Sequence, residues 1–276
     1  MIIWLASYPK SGNTYLRALL ASYFFSKDGE FSFDILRYIQ KFPKLKHFKS
    51  LNIDCESEIN IFRNYIKAQE DINKKRKNII FLKTHSSFCN IGQYVFSDLK
   101  NTLAGIYVVR DPRNVILSMS NYFSIKNEEC VSRLVSQGHV VFDSKENKNF
   151  KNYLGTWSFH LNSWKRLKNR LLIIKYEDLV LNPKKEIINI FNFISTLTNS
   201  KNKINENKLD KCINNTKFEK LKYLENSDGF DENAGNLKNN FFNKGLKTDF
   251  NKDLEIHLRK IIEKNFKKDL KELEYL

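Results

Sequence analysis

The sequence predicts an α/β fold, and three observations carry the prediction. Apolar runs of strand length recur within residues 2–6, 79–85, 104–110 and 170–176. Each run gives way to a polar turn, and apolar residues at helical spacing follow the first, third and fourth turns. The 276 residues, 41% of them hydrophobic, suffice for one α/β domain (two small ones being the alternative), and no Pro- or Gly-rich linker divides them.

The first unit is strand, tight loop and helix. Residues 2–6 read as a buried strand, Tyr8-Pro9-Lys10-Ser11-Gly12 breaks the pattern, and Leu16, Leu19, Leu20, Tyr23 and Phe24 fall at helical spacing. A loop entering a helix N-terminus offers unbonded N–H groups and the positive end of the helix dipole, which together favour an anion. Gly12 lets the backbone approach closely, Lys10 adds a point charge, and Ser11 and Thr14 add hydroxyl donors. The ATP-type pattern, in which Lys follows the second Gly, is absent. The bland alternative is an ordinary turn with a solvated lysine.

Residues 26–48 are mixed, with a short helix around 33–42. Residues 56–76 read as one amphipathic helix, with Ile59, Phe62, Tyr65 and Ile66 on one side. The basic run 73–77 reads as a solvated helix end rather than a nucleic-acid patch. Residues 79–85 bring Lys83, Thr84 and His85 to the C-terminal end of a strand, the edge where open α/β sheets bind ligands. His85 beside Lys83 reads as functional, against the alternative of a structural histidine.

Residues 104–110 form the third strand, and Asp111-Pro112 starts a helix that runs to Phe123. Arg110 at the strand end and Ser118 two turns into the helix suit a second phosphate. Otherwise Arg110 and Asp111 form a surface pair. Residues 124–150 are polar and suit a lid or an acceptor loop, and residues 150–168 read as a helix whose Tyr153, Leu154, Trp157, Leu161 and Trp164 make a core stripe. The strand at 170–176 and a helix at 184–194 follow. Residues 198–215 read as a mobile connection, and Thr216 as the N-cap of a helix reaching Leu224. The stretch 226–248 is polar. A last helix starts at Phe250 and is apolar at Leu254, Leu258, Ile261, Ile262 and Phe266.

The net charge of +16 predicts a field that attracts polyanions, anionic surfaces or small, highly charged ligands. The four cysteines are far apart and lack metal spacing, so reduced thiols in a cytoplasmic protein are the expectation. No metal is implied. No signal peptide and no run of about 18 apolar residues is visible, so no integral membrane segment is expected.

Tyr8-Pro-Lys-Ser-Gly-Asn-Thr-Tyr15 resembles the phosphosulfate loop of the sulfotransferases that use 3′-phosphoadenosine-5′-phosphosulfate (PAPS). Arg-x-Pro-Arg-Asn-Val-x-x-Ser, read from Arg110 to Ser118, resembles the family's 3′-phosphate site. Lys175-Tyr-Glu-Asp-Leu179, Thr216-x-Phe218 and Lys244-Gly245 follow in the family's order. The resemblance implies one sulfotransferase domain over residues 1–276, with a central parallel sheet flanked by helices, of P-loop nucleotide-kinase type. It implies that Lys10, Ser11, Gly12, Asn13 and Thr14 bind the 5′-phosphosulfate, and that Arg110 and Ser118 bind the 3′-phosphate. Tyr176, Thr216, Phe218 and Tyr15 would frame the adenine, and Lys244 and Gly245 would close over the 3′-phosphate. His85 would be the general base, Lys10 and Lys83 would steady the charge that develops on oxygen, and Ser118 would restrain Lys10.

Some positions depart from the family. Asn243 stands where the family has Arg, Thr248 and Phe250 replace a Gly and a Trp, and Tyr15 replaces a Trp. The dimer motif of the animal enzymes is not visible, leaving monomer or homodimer open. The resemblance implies an acceptor hydroxyl or amine on a small molecule, glycan or lipid, and residues 26–50, 86–98, 124–150 and 226–243 are expected to shape its pocket without naming it. Two other classes stand as rivals. A P-loop kinase or other NTPase would need a Mg²⁺-holding carboxylate after the third strand, where Arg110-Asp111-Pro112 suits phosphate better. A nucleic-acid-binding module rests on the charge alone, with no motif, so no nucleic-acid partner is expected.

Overall fold

A computed structural model of the chain describes residues 1–76, 78–142, 149–200, 203–233 and 239–276. The chain opens with β1 (Ile2–Ser7), α1 (Asn13–Phe25), β2 (Gln40–Lys41), α2 (Leu45–Lys49), α3 (Glu58–Arg63), α4 (Tyr65–Lys75) and β3 (Ile80–Thr84). Next come β4 (Asn90–Ile91), β5 (Tyr94–Val95), β6 (Thr102–Val109), α5 (Pro112–Phe123), α6 (Asn127–Val135), β7 (Val140–Phe142), β8 (Lys151–Tyr153) and α7 (Trp157–Lys165). The rest is β9 (Leu171–Lys175), α8 (Tyr176–Leu181), α9 (Pro183–Thr198), α10 (Glu206–Asn215), α11 (Phe218–Asp228), α12 (Phe250–Asp253) and α13 (Ile256–Glu272).

The fold class is the one the sequence predicts: a central parallel sheet flanked by helices, in the order β2-β3-β1-β6-β9. Parallel strands covered on both faces read as unbroken apolar runs, and every residue of β1 is buried. β1 and β3 pair from Ile2 with Ile80 to Ala6 with Thr84, so Ser7 and His85 both come next at the strand ends.

The described residues cluster into two compact units, one of residues 1–8, 39–107 and 136–173, the other of residues 9–38, 108–135 and 174–276. The first unit has an aromatic core. Trp4 is fully buried, lies 5.1 Å from Phe96 and 5.6 Å from Phe42 between ring centres, and donates its indole N–H to Thr102 Oγ1 at 2.9 Å. The second unit buries Leu16, Leu19 and Leu20 of α1, Val115, Ile116 and Met119 of α5, and Leu258, Ile262, Phe266 and Leu270 of α13.

Several boundaries differ from the sequence reading. The helix expected at 33–42 is a 3₁₀ turn, Phe33–Tyr38, followed by β2. The helix expected over 56–76 is broken at Asn64, which leaves helical backbone angles and donates its amide to the Asn60 carbonyl. Within 150–168 the chain first forms β8, then turns at Gly155 (φ +65°), and Thr156 caps α7 by accepting from Phe159 N. The connection expected at 198–215 contains α10, which Asn205 caps and which buries Leu209 and Cys212; Asn215 and Lys208 donate to the carbonyls of Gly29 and Ser26. Residues 201–202 lie outside the described ones. Thr216 is not an N-cap: it closes α10, its hydroxyl donating to Cys212 O, and α11 starts at Phe218. In α13 the expected apolar Ile261 is 39% exposed while Leu258, Ile262 and Phe266 are buried.

Candidate functional site

In the second unit the chain leaves β1 through Pro9 into α1. Lys10 and Gly12 adopt positive φ, +63° and +99°. A Cβ on Gly12 would stand 2.2 Å from Tyr176 Cδ2, so glycine is required both by the backbone and by the ring packed on it. The first turn of α1 has no side-chain cap and no acidic residue, so the positive end of its dipole is not offset by a carboxylate of that turn, while the Tyr15 and Leu16 N–H groups bond the Gly12 carbonyl. Ser11 Oγ is buried with no hydrogen-bond partner among the described residues. Asn13 and Thr14 are buried beside it.

Arg110 ties this loop to two others. Its guanidinium donates to the Lys10 carbonyl at 3.2 Å and to the Gly245 carbonyl at 3.0 Å, and lies 4.6 Å from the centre of the Tyr176 ring. Its Nε is buried with no partner among the described residues. Asp111 does not pair with Arg110. It caps α5 and takes Arg113 instead, Nη2 to Oδ2 at 2.7 Å. The surface-pair alternative for Arg110 is thereby removed.

Gly245 packs under Phe218, whose Cε2 would lie 2.9 Å from an added Cβ. Tyr15 is buried, and burial, with Tyr176 and Glu219 adding to it, pushes its hydroxyl above the usual phenol range. Ser118 is half-buried in the second turn of α5, and Thr216 is fully buried. Lys244 is exposed and paired with Asp253 at 2.9 Å. Thus Lys10, Gly12, Arg110, Tyr176, Gly245 and Phe218 form one connected set, while Lys244 points to Asp253. Of the departing positions, Thr248 donates to Gly245 O at 3.0 Å, and Phe250 lies under Arg113, 3.9 Å from its ring centre to the guanidinium carbon.

Lys10 Nζ sits 4.0 Å from the Tyr122 ring centre and 3.6 Å from that of Phe241, an aromatic cradle that favours a cation. Glu232 accepts from Thr14 Oγ1 at 3.2 Å and from Arg17, while its carbonyl takes the Tyr122 hydroxyl. The sequence held no signal for Glu232 or Arg17. Residues 143–148 and 234–238, within the stretches assigned to the acceptor, lie outside the described ones.

In the first unit, His85 is half-buried just past β3. Its Nδ1 lies 2.8 Å from the Ser7 carbonyl. A carbonyl can only accept, so Nδ1 carries the proton and Nε2 of the neutral ring keeps its lone pair. Lys83, 4% exposed within β3, gives its carbonyl to Phe42 N at 2.8 Å. Tyr8 OH meets His139 Nδ1 at 2.7 Å. His160 is fully buried, its Nε2 2.8 Å from the His85 carbonyl and its Nδ1 2.8 Å from Tyr107 OH. Burial chiefly pulls its pKa down to about 4, with His139 adding to it against the His85 carbonyl.

These donors suit phosphate and sulfate: an uncapped helix N-terminus, an orphaned buried hydroxyl and a guanidinium with an unused N–H. Among the described residues no group of three His, Cys, Asp or Glu side chains could hold a metal ion.

The family model described as the sulfotransferase domain matches residues 2–274. Human sulfotransferase 1E1 is 24% identical over 97% of this chain and 83% of its own. The luciferin sulfotransferase of Photinus pyralis is 25% identical over 80% of this chain and 56% of its own. Among solved structures, mouse sulfotransferase SULT7A1 complexed with PAP superposes with a TM-score of 0.63 at 17% identity, covering 98% of this chain and 84% of that one. Retinol dehydratase in a complex with retinol and PAP gives 0.61 at 19%, covering 98% and 81%. The structural likenesses establish the shared fold, and the family match extends over nearly every residue: the chain belongs to the sulfotransferase family of enzymes.

Proposed function

We propose that this enzyme transfers the sulfuryl group of PAPS to a hydroxyl or amine of an acceptor by in-line displacement. The observation that carries the reading is the anion cradle of the second unit, where the buried Ser11 Oγ and Arg110 Nε lack partners among the described residues, beside a helix start with no side-chain cap. The PAP complexes of two structural neighbours support an adenine bisphosphate as its occupant.

When bound, PAPS supplies the activated sulfuryl group and its phosphate leaving group. The chain's own residues bind, orient and move the proton. Lys10, Ser11, Gly12, Asn13 and Thr14 hold the 5′ anion through backbone N–H groups, hydroxyls and one charge. Arg110, with Ser118, takes the 3′-phosphate, helped by Gly245 and by Lys244 once it leaves Asp253. Tyr176, Phe218, Tyr15 and Thr216 frame the base. His85 Nε2 accepts the acceptor's proton, Lys10 and Lys83 steady charge on oxygen, and Ser118 restrains Lys10. The reading treats residues 1–276 as one sulfotransferase domain, in keeping with the family match. It extends to a cytoplasmic monomer or homodimer that acts on a small-molecule, glycan or lipid acceptor, without metal or nucleic acid. No helix among the described residues is long and apolar enough to cross a membrane.

The test is calorimetric titration with 3′-phosphoadenosine-5′-phosphate, with and without Mg²⁺, against ATP. Metal-independent binding of the bisphosphate, with little of ATP, is expected. Preference for Mg-ATP, or binding of neither, overturns the reading.

A further inference from the structure

We propose that His160, braced by Tyr107, is a positioning residue for His85, and that one face of α7 is the template on which the His85 loop is laid. The proposal rests on the reading of His85 as the base and adds to it the group that holds that base in place.

The loop after β3 is pinned by its main chain. His160 Nε2 lies 2.8 Å from the carbonyl of His85, Trp164 Nε1 donates to the carbonyl of Ser86 at 3.1 Å, and Ser163 Oγ accepts from Phe88 N at 2.9 Å. Positions 160, 163 and 164 are i, i+3 and i+4, which is one face of a helix. Three main-chain groups of the loop, at residues 85, 86 and 88, are thus held by one face of α7. Of the three, only His160 touches residue 85 itself.

The proton assignment on His160 follows from its partners. The His85 carbonyl can only accept, so Nε2 of His160 carries the proton. Its Nδ1 is then an acceptor and takes the Tyr107 hydroxyl at 2.8 Å. Both ring nitrogens are used, and the ring is fully buried. Such a histidine is not placed to exchange protons with an acceptor. Its work is to fix the carbonyl of the first residue past β3. That residue's ring makes the Nδ1 contact to Ser7 O that leaves Nε2 as the basic nitrogen. A shift of the residue 85 main chain moves both the ring and that contact. Misplacement of a reacting group by about 1 Å is enough for a rate loss of about 10²-fold.

The experiment reads the His85 ring without any acceptor. Protein labelled with ¹⁵N-histidine is saturated with 3′-phosphoadenosine-5′-phosphate, and long-range ¹H–¹⁵N spectra report which nitrogen holds the proton. The wild type is expected to show His85 as the Nδ1–H tautomer. His160→Leu is expected to shift the tautomer ratio toward Nε2–H by about fivefold, the weight of one net hydrogen bond. Tyr107→Phe removes a single oxygen, which guards against a variant that fails to fold, and is expected to shift the ratio in the same direction. His160→Gln keeps a donor near the Nε2 position and is expected to restore the wild-type pattern. Bisphosphate affinity is expected to stay within about twofold in all three, since none touches the anion cradle. An unchanged His85 spectrum in both His160→Leu and Tyr107→Phe overturns the proposal. So does failure of His160→Gln to restore the pattern, or a parallel loss of bisphosphate affinity, which would mark a general structural role. The underlying reading fails by a different measurement, normal turnover of His85→Ala, so the two failures are separable.

Discussion

Arg113→Met tests how the run Arg110-Asp111-Pro112-Arg113 divides its labour. The Arg113 side chain is 5% exposed and meets Asp111 through Nε at 3.0 Å and Nη2 at 2.7 Å, Glu263 at 2.7 Å and the Tyr275 carbonyl at 2.7 Å. Of its two carboxylates only Asp111 is buried, at 6% against 34% for Glu263. Methionine roughly keeps the volume and removes the charge, which leaves Asp111 buried with its cap to Arg113 N as the remaining bond. Breaking one side of a buried pair costs about 3–5 kcal/mol. At about 2 °C per kcal/mol for a chain of this size, the Tm falls by about 6–10 °C. A second effect follows from the neighbour. Arg110 is the nearest cation along the chain to the orphaned Asp111, and drawing it there breaks its bonds to the Lys10 and Gly245 carbonyls. Bisphosphate affinity then falls by about tenfold, the equivalent of one charge-assisted hydrogen bond. The assays are thermal unfolding by circular dichroism and calorimetric titration. Adding Asp111→Asn to the methionine variant should recover much of the stability. A Tm within about 2 °C of wild type, the shift of one kcal/mol, would refute the reasoning.

Three further outcomes are expected. Gly12→Ala places a Cβ against Tyr176 at φ +99°, so stability falls by about 1–3 kcal/mol from backbone strain and the heat of bisphosphate binding is lost; retained binding would detach the loop from the anion. Glu232→Gln removes the carboxylate held by Thr14 and Arg17 and raises bisphosphate affinity by about fivefold through the weaker neutral bond, whereas an unchanged or lower affinity would make Glu232 a brace for Arg17. His160 and His47 are held near pKa values of about 4 and about 3, mainly by burial, against 6.5 unfolded. Between these values the unfolded chain binds more protons, so stability is complete above pH 6.5 and declines as pH falls through about 4. The midpoint of urea unfolding should track that decline, and a midpoint flat between pH 7 and 4.5 would contradict it.

The sequence made the four long strands β1, β3, β6 and β9 legible, since burial on both faces leaves unbroken apolar runs, as in β1 and β6. It marked Lys10, Ser11, Gly12 and Arg110 because their types carry charge, hydroxyl or backbone freedom at a strand end. Helix boundaries were less visible. Asn64 and Gly155 break helices through local hydrogen bonds and backbone angles that periodicity does not record. The connection at 198–215 looked too polar to order, yet Leu209 and Cys212, with donors to the carbonyls at 26 and 29, suffice for α10. Lys244 matched its motif by position, but Asp253 lay too few residues away for the pattern to show which partner it takes. Glu232 was invisible because its contacts, to Thr14 and Arg17, are more than two hundred residues distant along the chain.

A common construction underlies what remained hidden. The loops that carry the candidate site are held by side chains bonded to main-chain atoms. Arg110 reaches the carbonyls of Lys10 and Gly245, Glu225 takes the N–H groups of Phe241 and Phe242, and His160 and Trp164 reach the carbonyls of His85 and Ser86. Every residue has a carbonyl and all but proline an N–H, so the partner's position leaves no mark on composition or spacing. Only the residue supplying the side chain has a type that can be read. The asymmetry has a mutational consequence. Replacing Arg110, Glu225 or His160 removes the bond and strands a backbone group, whereas replacing Phe241 or Ser86 leaves the bonded main-chain atom in place. At held positions such as Phe241 and Ser86 the bond therefore does not dictate the side chain, whereas at the holding positions it does.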